Sequence, residues 1–179
     1  NTSELADFEK SLRKNREIPQ GVIDFLKAAP KDANPMDVLR TGVSMLGLFD
    51  KRAGIGEPDQ AANREVAISL CAQTPVIVAY YHRARQGLDL LPVRDDLSEA
   101  GHFLYLINGE EPSEAATKTL DIAYILHADH GMNASTFSAR VTVATLSDFY
   151  SAMTSAVGTL KGPLHGGANE GVIKMLQEI

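Results

Sequence analysis

Apolar residues recur at spacings of three and four positions through most of the chain, which is the spacing of one face of an α-helix. After Pro35, for instance, Met36, Leu39 and Val43 fall on a single helical face. The periodic segments are rich in alanine, leucine, glutamate and lysine, which are good helix formers. The pattern therefore predicts an all-α protein, with helices at about 2–14, 19–29, 35–50, 59–86, 98–108, 114–127 and 147–160 and another beyond 167.

Local signals indicate where the helices begin and end. Thr2 or Ser3 can cap the first helix, and Pro19 suits the start of the second because proline has no amide hydrogen to satisfy there. The segments AGIGEP at 53–58 and GEEPS at 109–113 carry the glycine and proline residues that are typical of turns. We expect loops at both places.

One stretch also fits a strand, because PVIVAYY at 75–81 is rich in β-branched and aromatic residues. No second strand-like segment lies nearby to pair with it, so helix is favoured. Proline lacks the amide donor and clashes with the preceding turn. We therefore expect the long helix at 59–86 to be interrupted and kinked at Thr74 and Pro75.

Composition narrows the classes of function. The 179 residues are enough for one sizeable core, so one domain or a large piece of one is expected. The formal net charge is -6 and no basic run is present, which argues against a nucleic-acid partner. The apolar runs are shorter than the roughly 20 residues of a membrane span. We expect neither nucleic acid nor a membrane as a partner.

Cys71 is the only cysteine, so an internal disulfide is impossible and a reducing cytoplasmic location is favoured. It lies in an apolar run, where we expect a small core residue rather than a nucleophile. The polar start of the chain has no signal-peptide pattern, and no glycine or proline ends the last amphipathic stretch. We expect a chain that begins partway through a longer protein and whose last helix is cut.

Small residues recur on successive turns of the segment after Thr145 and would let two helix backbones approach closely. Ser147 and Asp148 resemble the start of this helix. Such a face fits tight packing in the core and equally a subunit interface, and the sequence favours neither. The small residues are Ser151, Ala152, Ser155, Ala156 and Gly158.

Four of the five histidines fit structural roles when they are judged on spacing alone. His82 lies near a helix end and His102 in an amphipathic helix. His127 and His130 share a helical face, which is compatible with a metal site, but no third ligand is evident. Gly131 indicates a helix end directly after His130. A structural pair is therefore favoured and no metal is expected.

His165 is the most informative histidine because its neighbours allow close approach of the backbone. Gly162 and Pro163 break the chain before it, Gly166 and Gly167 follow it, and a helix begins just beyond. The positive end of a helix dipole disfavours an imidazolium, so we expect a neutral ring that donates a hydrogen bond. Such a donor suits a developing enolate. The alternative is a histidine that merely caps the following turn.

Three motifs in this order resemble the citrate synthase family: HADHGMNASTF at 127–137, TLSD at 145–148 and GPLHGGANE at 162–170. The segments NPMDVLRT at 34–41 and NGEEP at 108–112 are also similar to it. The resemblance implies that residues 1–179 are part of the large helical domain of an all-α, citrate-synthase-like fold. The small domain and an N-terminal segment would be absent from the chain.

The resemblance also implies a role for each matched residue. His165 would be catalytic and donate to the thioester oxygen of acetyl-CoA, and His130 would bind oxaloacetate. Asn133 and Ser135 would orient the histidines, and the backbone of Leu164 would contact the CoA side. The implied enzyme is a homodimer with the helix at 147–160 in its interface. Acetyl-CoA is a substrate, and no cofactor is implied.

The family draws its second catalytic histidine, its carboxylate base and its arginine clamp from sequence beyond Ile179, so the isolated chain is expected to be inactive. Asp129 and Asp148 do not lie in the motif of that base and fit caps or surface groups. Two alternatives stay open. One is 2-methylcitrate synthase, which uses propionyl-CoA, and the other is a non-catalytic helical dimerisation fragment.

Overall fold

The helices predicted from the apolar pattern are all present. The structure, a computed structural model, describes residues 1–52 and 59–178, and the predicted loop at 53–58 lies outside them. Within the described residues the backbone forms nine α-helices and no strand, which confirms the all-α prediction. The helices are α1 (Thr2–Lys14), α2 (Gln20–Ala28), α3 (Pro35–Phe49), α4 (Gln60–Gln86), α5 (Glu99–Asn108), α6 (Glu114–Ala128), α7 (Ala134–Val143), α8 (Phe149–Leu160) and α9 (Ala168–Gln177).

Side-chain caps define most of the helix starts. Asn34, Ser113 and Asp148 each accept a hydrogen bond from a backbone N–H in the first turn of the helix that follows. Such caps satisfy amides that have no partner inside the helix. The prediction that Thr2 or Ser3 caps α1 is wrong. Asn1 is the cap, because its side chain accepts from the N–H of Glu4 at 3.1 Å.

The long helix α4 is the centre of the core and packs against α1, α2, α3, α5 and α8. It runs through Pro75 as one helix, so the predicted interruption is wrong and the helix favoured over a strand at 75–81 is confirmed. The burial of Val76, Ile77 and Tyr80 explains this, because these side chains enter the core only on a helical face. The free energy gained by burying these side chains against five neighbouring helices exceeds the cost of the backbone hydrogen bond that the proline cannot make. The predicted kink at Pro75 stays a prediction.

Cys71 lies on the exposed side of α4, so its predicted place in the core is wrong. Both sequence neighbours of Cys71, Leu70 and Ala72, are buried. The apolar run therefore does not indicate which of its residues face the solvent. Among the described residues no helix is long and apolar enough to cross a bilayer.

The helix α8 packs between α3 and α7. Ala152 is buried, Gly158 lies against the side chain of Arg40 on α3, and the hydroxyls of Ser138 and Ser155 join α7 to α8 at 2.5 Å. The small residues of α8 therefore bring helices together within the chain. A role for this helix in a subunit interface stays a prediction.

A buried polar cluster joins the segment that follows α1 to the start of α5. The guanidinium of Arg16 donates to the carbonyl of Leu97 at 2.9 Å and to Glu99 at 2.5 Å. His102 lies beside it with 1% of its surface exposed, and its Nε2 has no hydrogen-bond partner within the described part of the chain. Burial, reinforced by the charges of Arg16 and Arg94, lowers the pKa of His102 to about 4.

This histidine is expected to make the fold sensitive to acid. Unfolding frees it to bind a proton near its ordinary pKa of 6.5, so stability is complete above pH 6.5 and falls as the pH drops toward 4. The wild type should therefore have a lower free energy of unfolding at pH 4.5 than at pH 7. In His102→Gln this loss of stability should be smaller by about 2 kcal/mol. Urea unfolding at both pH values measures this. An unchanged difference would contradict the assignment, and His82→Gln on α4 serves as the control.

Candidate active site

The predicted site residues meet around one open cavity of about 730 Å³. Its walls come from the first turn of α3, the end of α6, the start of α7 and the turn between α8 and α9. His127 and His130 contribute from the end of α6, Asn133 and Ser135 from the start of α7, and His165 from the turn. Segments far apart in the sequence therefore place five polar side chains on one concave surface.

The two singled-out histidines, His130 and His165, face each other across this cavity. Their ring centroids are 6.3 Å apart and the ring planes are inclined at 77°. Helix α6 ends at Ala128, and the left-handed backbone of Gly131, with φ at 59°, turns the chain toward α7. The predicted helix end is confirmed, but it lies two residues before His130, so His127 and His130 do not share a helical face. A space of a few ångströms separates two imidazoles that can donate hydrogen bonds to a small ligand.

The tight turn that carries His165 folds back on the end of α8. The carbonyl of Gly162 accepts from the N–H of His165 at 2.9 Å and from the N–H of Gly167 at 3.2 Å. A Cβ on Gly166 would lie 2.6 Å from the carbonyl oxygen of Leu160, so only glycine fits there. The backbone of the turn is therefore closely determined, and with it the position of the imidazole.

The side chain of His165 does not cap α9, so the alternative of a mere capping histidine is excluded. The helix has no side-chain cap, and the imidazole Nε2 instead lies 2.9 Å from the hydroxyl of Ser135. That hydroxyl is 2.8 Å from Asn133 Oδ1, which also accepts from the N–H of Thr136 at 2.7 Å. Asn133 is thus fixed as the cap of α7, and it fixes Ser135 in turn.

One hydroxyl hydrogen decides which nitrogen of His165 carries the proton. If Ser135 donates to Asn133, its oxygen accepts from an Nε2–H group. If Ser135 turns its hydrogen to Nε2 instead, a neutral ring carries its proton on Nδ1. The same three side chains permit both arrangements, so the ring has a donor on either nitrogen without moving.

Leu164 points away from the cavity, with its side chain completely exposed. Its side chain therefore makes no wall of the site in the described structure. The predicted contact of its backbone with CoA stays a prediction.

Residues 1–52 and 59–178 contain no group of three histidine, cysteine, aspartate or glutamate side chains that could hold a metal ion. His127 donates from Nδ1 to the carbonyl of Ala123 at 2.8 Å.

Two charged residues at the cavity were missed by the sequence reasoning. Lys161 lines it, and its ammonium donates to Asp37 at 2.6 Å. Asn34 and Met36, beside Asp37, line the cavity as well. Asp37 lies in the motif at 34–41 that resembles the family, but the resemblance implies no role for it. A lysine and an aspartate 124 positions apart show no pairing in the sequence.

Comparison with known proteins identifies the family. The family model described as citrate synthase, C-terminal domain, matches residues 1–179. The citrate synthase of Deinococcus radiodurans is 50% identical over 98% of this chain and 46% of that protein. The 2-methylcitrate synthase of Shewanella oneidensis is 42% identical over 99% of this chain and 46% of that protein.

A solved structure shares the fold. It is the ternary complex of citrate synthase from Thermoplasma acidophilum with carboxymethyl coenzyme A and oxaloacetate, at a TM-score of 0.90 and 28% identity. The match covers 100% of this chain and 46% of that chain. The chain thus spans about half the length of the relatives it matches. Because the family model and these relatives match it from end to end, the chain belongs to the citrate synthase family.

Proposed function

We propose that the chain is part of a citrate synthase, which condenses acetyl-CoA with oxaloacetate and water to give citrate and CoA. The observation that carries the proposal is the pair His130 and His165, 6.3 Å apart on one cavity. In this proposal the chain forms part of the large helical domain, and a small domain and an N-terminal segment complete the protein. The relatives at 46% coverage support a longer parent.

The chemistry needs a donor at each of two oxygens and one base. The base removes a proton from the acetyl methyl group while His165 donates a hydrogen bond to the thioester oxygen, which stabilises the negative charge that develops there. His130 donates to oxaloacetate and polarises the ketone that the enol carbon attacks. Hydrolysis of the citryl thioester then releases CoA. No cofactor is required.

Ser135 and Asn133 serve as positioning residues in this proposal. When Ser135 donates to Nε2, the neutral ring of His165 presents an Nδ1–H group to the thioester oxygen. When the hydroxyl instead donates to Asn133, 2.8 Å away, its oxygen accepts from Nε2–H and Nδ1 carries no proton. The donor at Nδ1 therefore depends on the hydrogen bond from Ser135 to Nε2.

The remaining groups come from other parts of the protein. Asp148 caps α8 through the N–H of Ser151, Asp129 lies exposed at the end of α6, and neither is among the residues that line the cavity, so neither is proposed as the base. We infer that the base, the second catalytic histidine and the arginines that clamp the dicarboxylate lie outside the chain. The isolated chain is therefore inactive, and the parent is a cytoplasmic homodimer. Exposed Phe137 and Val141 on α7 offer apolar surface to a second subunit.

Release of CoA from acetyl-CoA and oxaloacetate tests the proposal directly. The full-length protein is expected to turn over, and the purified 179-residue chain is not. Robust turnover by the chain alone would contradict the assignment of the missing base. Absence of turnover by the full-length protein, with no binding of oxaloacetate, would favour a non-catalytic dimerisation module instead.

Propionyl-CoA tests the 2-methylcitrate alternative. The 42% identity to a 2-methylcitrate synthase is below the 50% identity to a citrate synthase, which favours acetyl-CoA. One methylene changes binding in an apolar pocket by only about 1–3 kcal/mol, so a single contact can reverse the preference. Comparison of kcat/KM for the two acyl-CoA substrates decides between them, and a higher value for propionyl-CoA would reject the proposal.

Removal of the Ser135 hydroxyl is expected to weaken catalysis more than binding. Ser135→Ala leaves Nε2 of His165 without its partner, so the ring loses the hydrogen bond that favours a proton on Nδ1, and kcat should fall about 10-fold with KM nearly unchanged. Ser138→Ala is the matched control on the same helix, because its hydroxyl pairs with Ser155 rather than with a histidine. Equal effects of the two substitutions on kcat would contradict the role of Ser135.

A further inference from the structure

Two segments from distant parts of the sequence form neighbouring walls of the cavity, and an ion pair joins them. Asn34 and Met36 line the cavity from the start of α3, and His165 lines it from the turn after α8. Lys161 begins that turn and donates from Nζ to Asp37 Oδ2 at 2.6 Å. The contact therefore connects the α3 wall to the segment that carries the imidazole.

Asp37 is held by its own helix as well as by the lysine. Arg40, one turn further along α3, places Nη2 3.0 Å from Asp37 Oδ1. The hydrogen bond from Lys161, together with the charges of Lys161 and Arg40, lowers the pKa of Asp37 below its usual value. The carboxylate is consequently charged at neutral pH and bridges two cations, one on each segment.

Lys161 lies next to the residue whose carbonyl holds the backbone of His165, so the ion pair can affect the position of His165. Lys161 is the C-cap of α8, and the next residue, Gly162, supplies the carbonyl that accepts from the N–H groups of His165 and Gly167. The orientation of this one carbonyl determines how the turn folds. A turn with glycines at 162, 166 and 167 has few side chains of its own to hold it, so an external anchor at residue 161 matters.

We propose that the Asp37–Lys161 ion pair positions His165 by fixing the turn at 161–167 against the first turn of α3. Both are positioning residues, since they act through the turn rather than on the reacting atoms. The kinetic consequence rests on the proposed citrate synthase activity. The structural consequence, a fixed separation between His165 and its neighbours Ser135 and His130, does not.

The kinetic test uses Asp37→Asn, Lys161→Met and the double variant in the full-length protein. Each single substitution is expected to lower kcat about 10-fold, with both KM values changed less than about 3-fold, because a displaced donor impairs the chemical step. The double variant should lose no more than either single one, since both residues act through one contact. Asp37→Glu and Lys161→Arg keep the opposite charges and should retain most of the activity.

The matched control is Glu9→Gln, which breaks a comparably exposed ion pair with Arg13 on α1 and should leave kcat unchanged. Three kinetic results would overturn the proposal. The first is unchanged kcat in both single variants. The second is a rise in KM alone, which would make Lys161 a direct substrate contact. The third is losses that multiply in the double variant.

A crystal structure of the Asp37→Asn protein gives a readout that does not depend on activity. The distance from His165 Nε2 to Ser135 Oγ, now 2.9 Å, is expected to lengthen, and the ring separation of 6.3 Å to change. Unchanged distances would overturn the inference even if the protein is a citrate synthase. Absence of turnover in the wild type would reject the proposed function, and the two distances would then decide this inference alone.

Discussion

His165→Ala in the full-length protein is expected to lower kcat about 1,000-fold while the affinity for oxaloacetate stays within about 3-fold. In the proposed mechanism the imidazole supplies the hydrogen bond that stabilises the enol, an interaction made only as charge develops on the thioester oxygen. Oxaloacetate would be held by other groups, His130 among them. Steady-state kinetics and a direct binding measurement of oxaloacetate separate the two effects.

The matched control is His82→Gln. His82 lies on α4 beside Gln86, at 2.9 Å, and is not among the residues that line the cavity. Its replacement should leave kcat and KM unchanged. A loss in His165→Ala that appeared entirely in KM would mean that the ring binds substrate without stabilising the transition state, and the proposed mechanism would then be wrong.

Gly166→Ala is expected to have the second largest effect, although it alters no functional group. The added methyl carbon would lie 2.6 Å from the carbonyl oxygen of Leu160 and equally close to its side chain. That carbonyl belongs to the last turn of α8, so the turn carrying His165 has to move instead. A displacement of about 1 Å in a catalytic group costs up to about 100-fold in rate, and we expect kcat to fall by 10- to 100-fold.

Gly171→Ala provides the control because, within the part of the chain that the structure describes, nothing lies within 4 Å of its added Cβ. It lies in α9, where alanine is the better helix former, so stability should rise slightly and kcat should not change. Kinetics and thermal unfolding of both variants check the prediction. Full activity in Gly166→Ala would show that the turn tolerates displacement and that its close packing is not needed for catalysis.

Eight of the nine helices within the described residues were predictable because the signals that define them are local, whereas α7 was not predicted. Apolar spacing, the prolines at 19 and 35 and the caps Asn34 and Ser113 all lie within or beside the helix they specify. The errors arose where tertiary packing decides. Pro75 continues inside α4 because the residues that follow it are buried against five other helices, and Cys71 faces outward although both its neighbours face inward.

The sequence motifs predicted which residues belong to the candidate site, but not the contacts that their side chains make. His130, Asn133, Ser135 and His165 lie in two short motifs, and the structure brings all four to one cavity. What each side chain contacts was not predictable. The link from Ser135 to His165 joins residues 30 positions apart and the Asp37–Lys161 pair joins residues 124 apart, and neither periodicity nor composition encodes such distances.

The most direct test of the account is a crystal structure of the full-length protein with oxaloacetate and carboxymethyl-CoA, an analogue of the enolised thioester. We expect a ring nitrogen of His165 about 2.7–3.1 Å from the carboxylate oxygen of the analogue, with His130 in hydrogen-bonding contact with oxaloacetate in the same cavity. A complex in which another side chain donates to that oxygen, with the His165 ring beyond about 5 Å, would contradict the central role of His165.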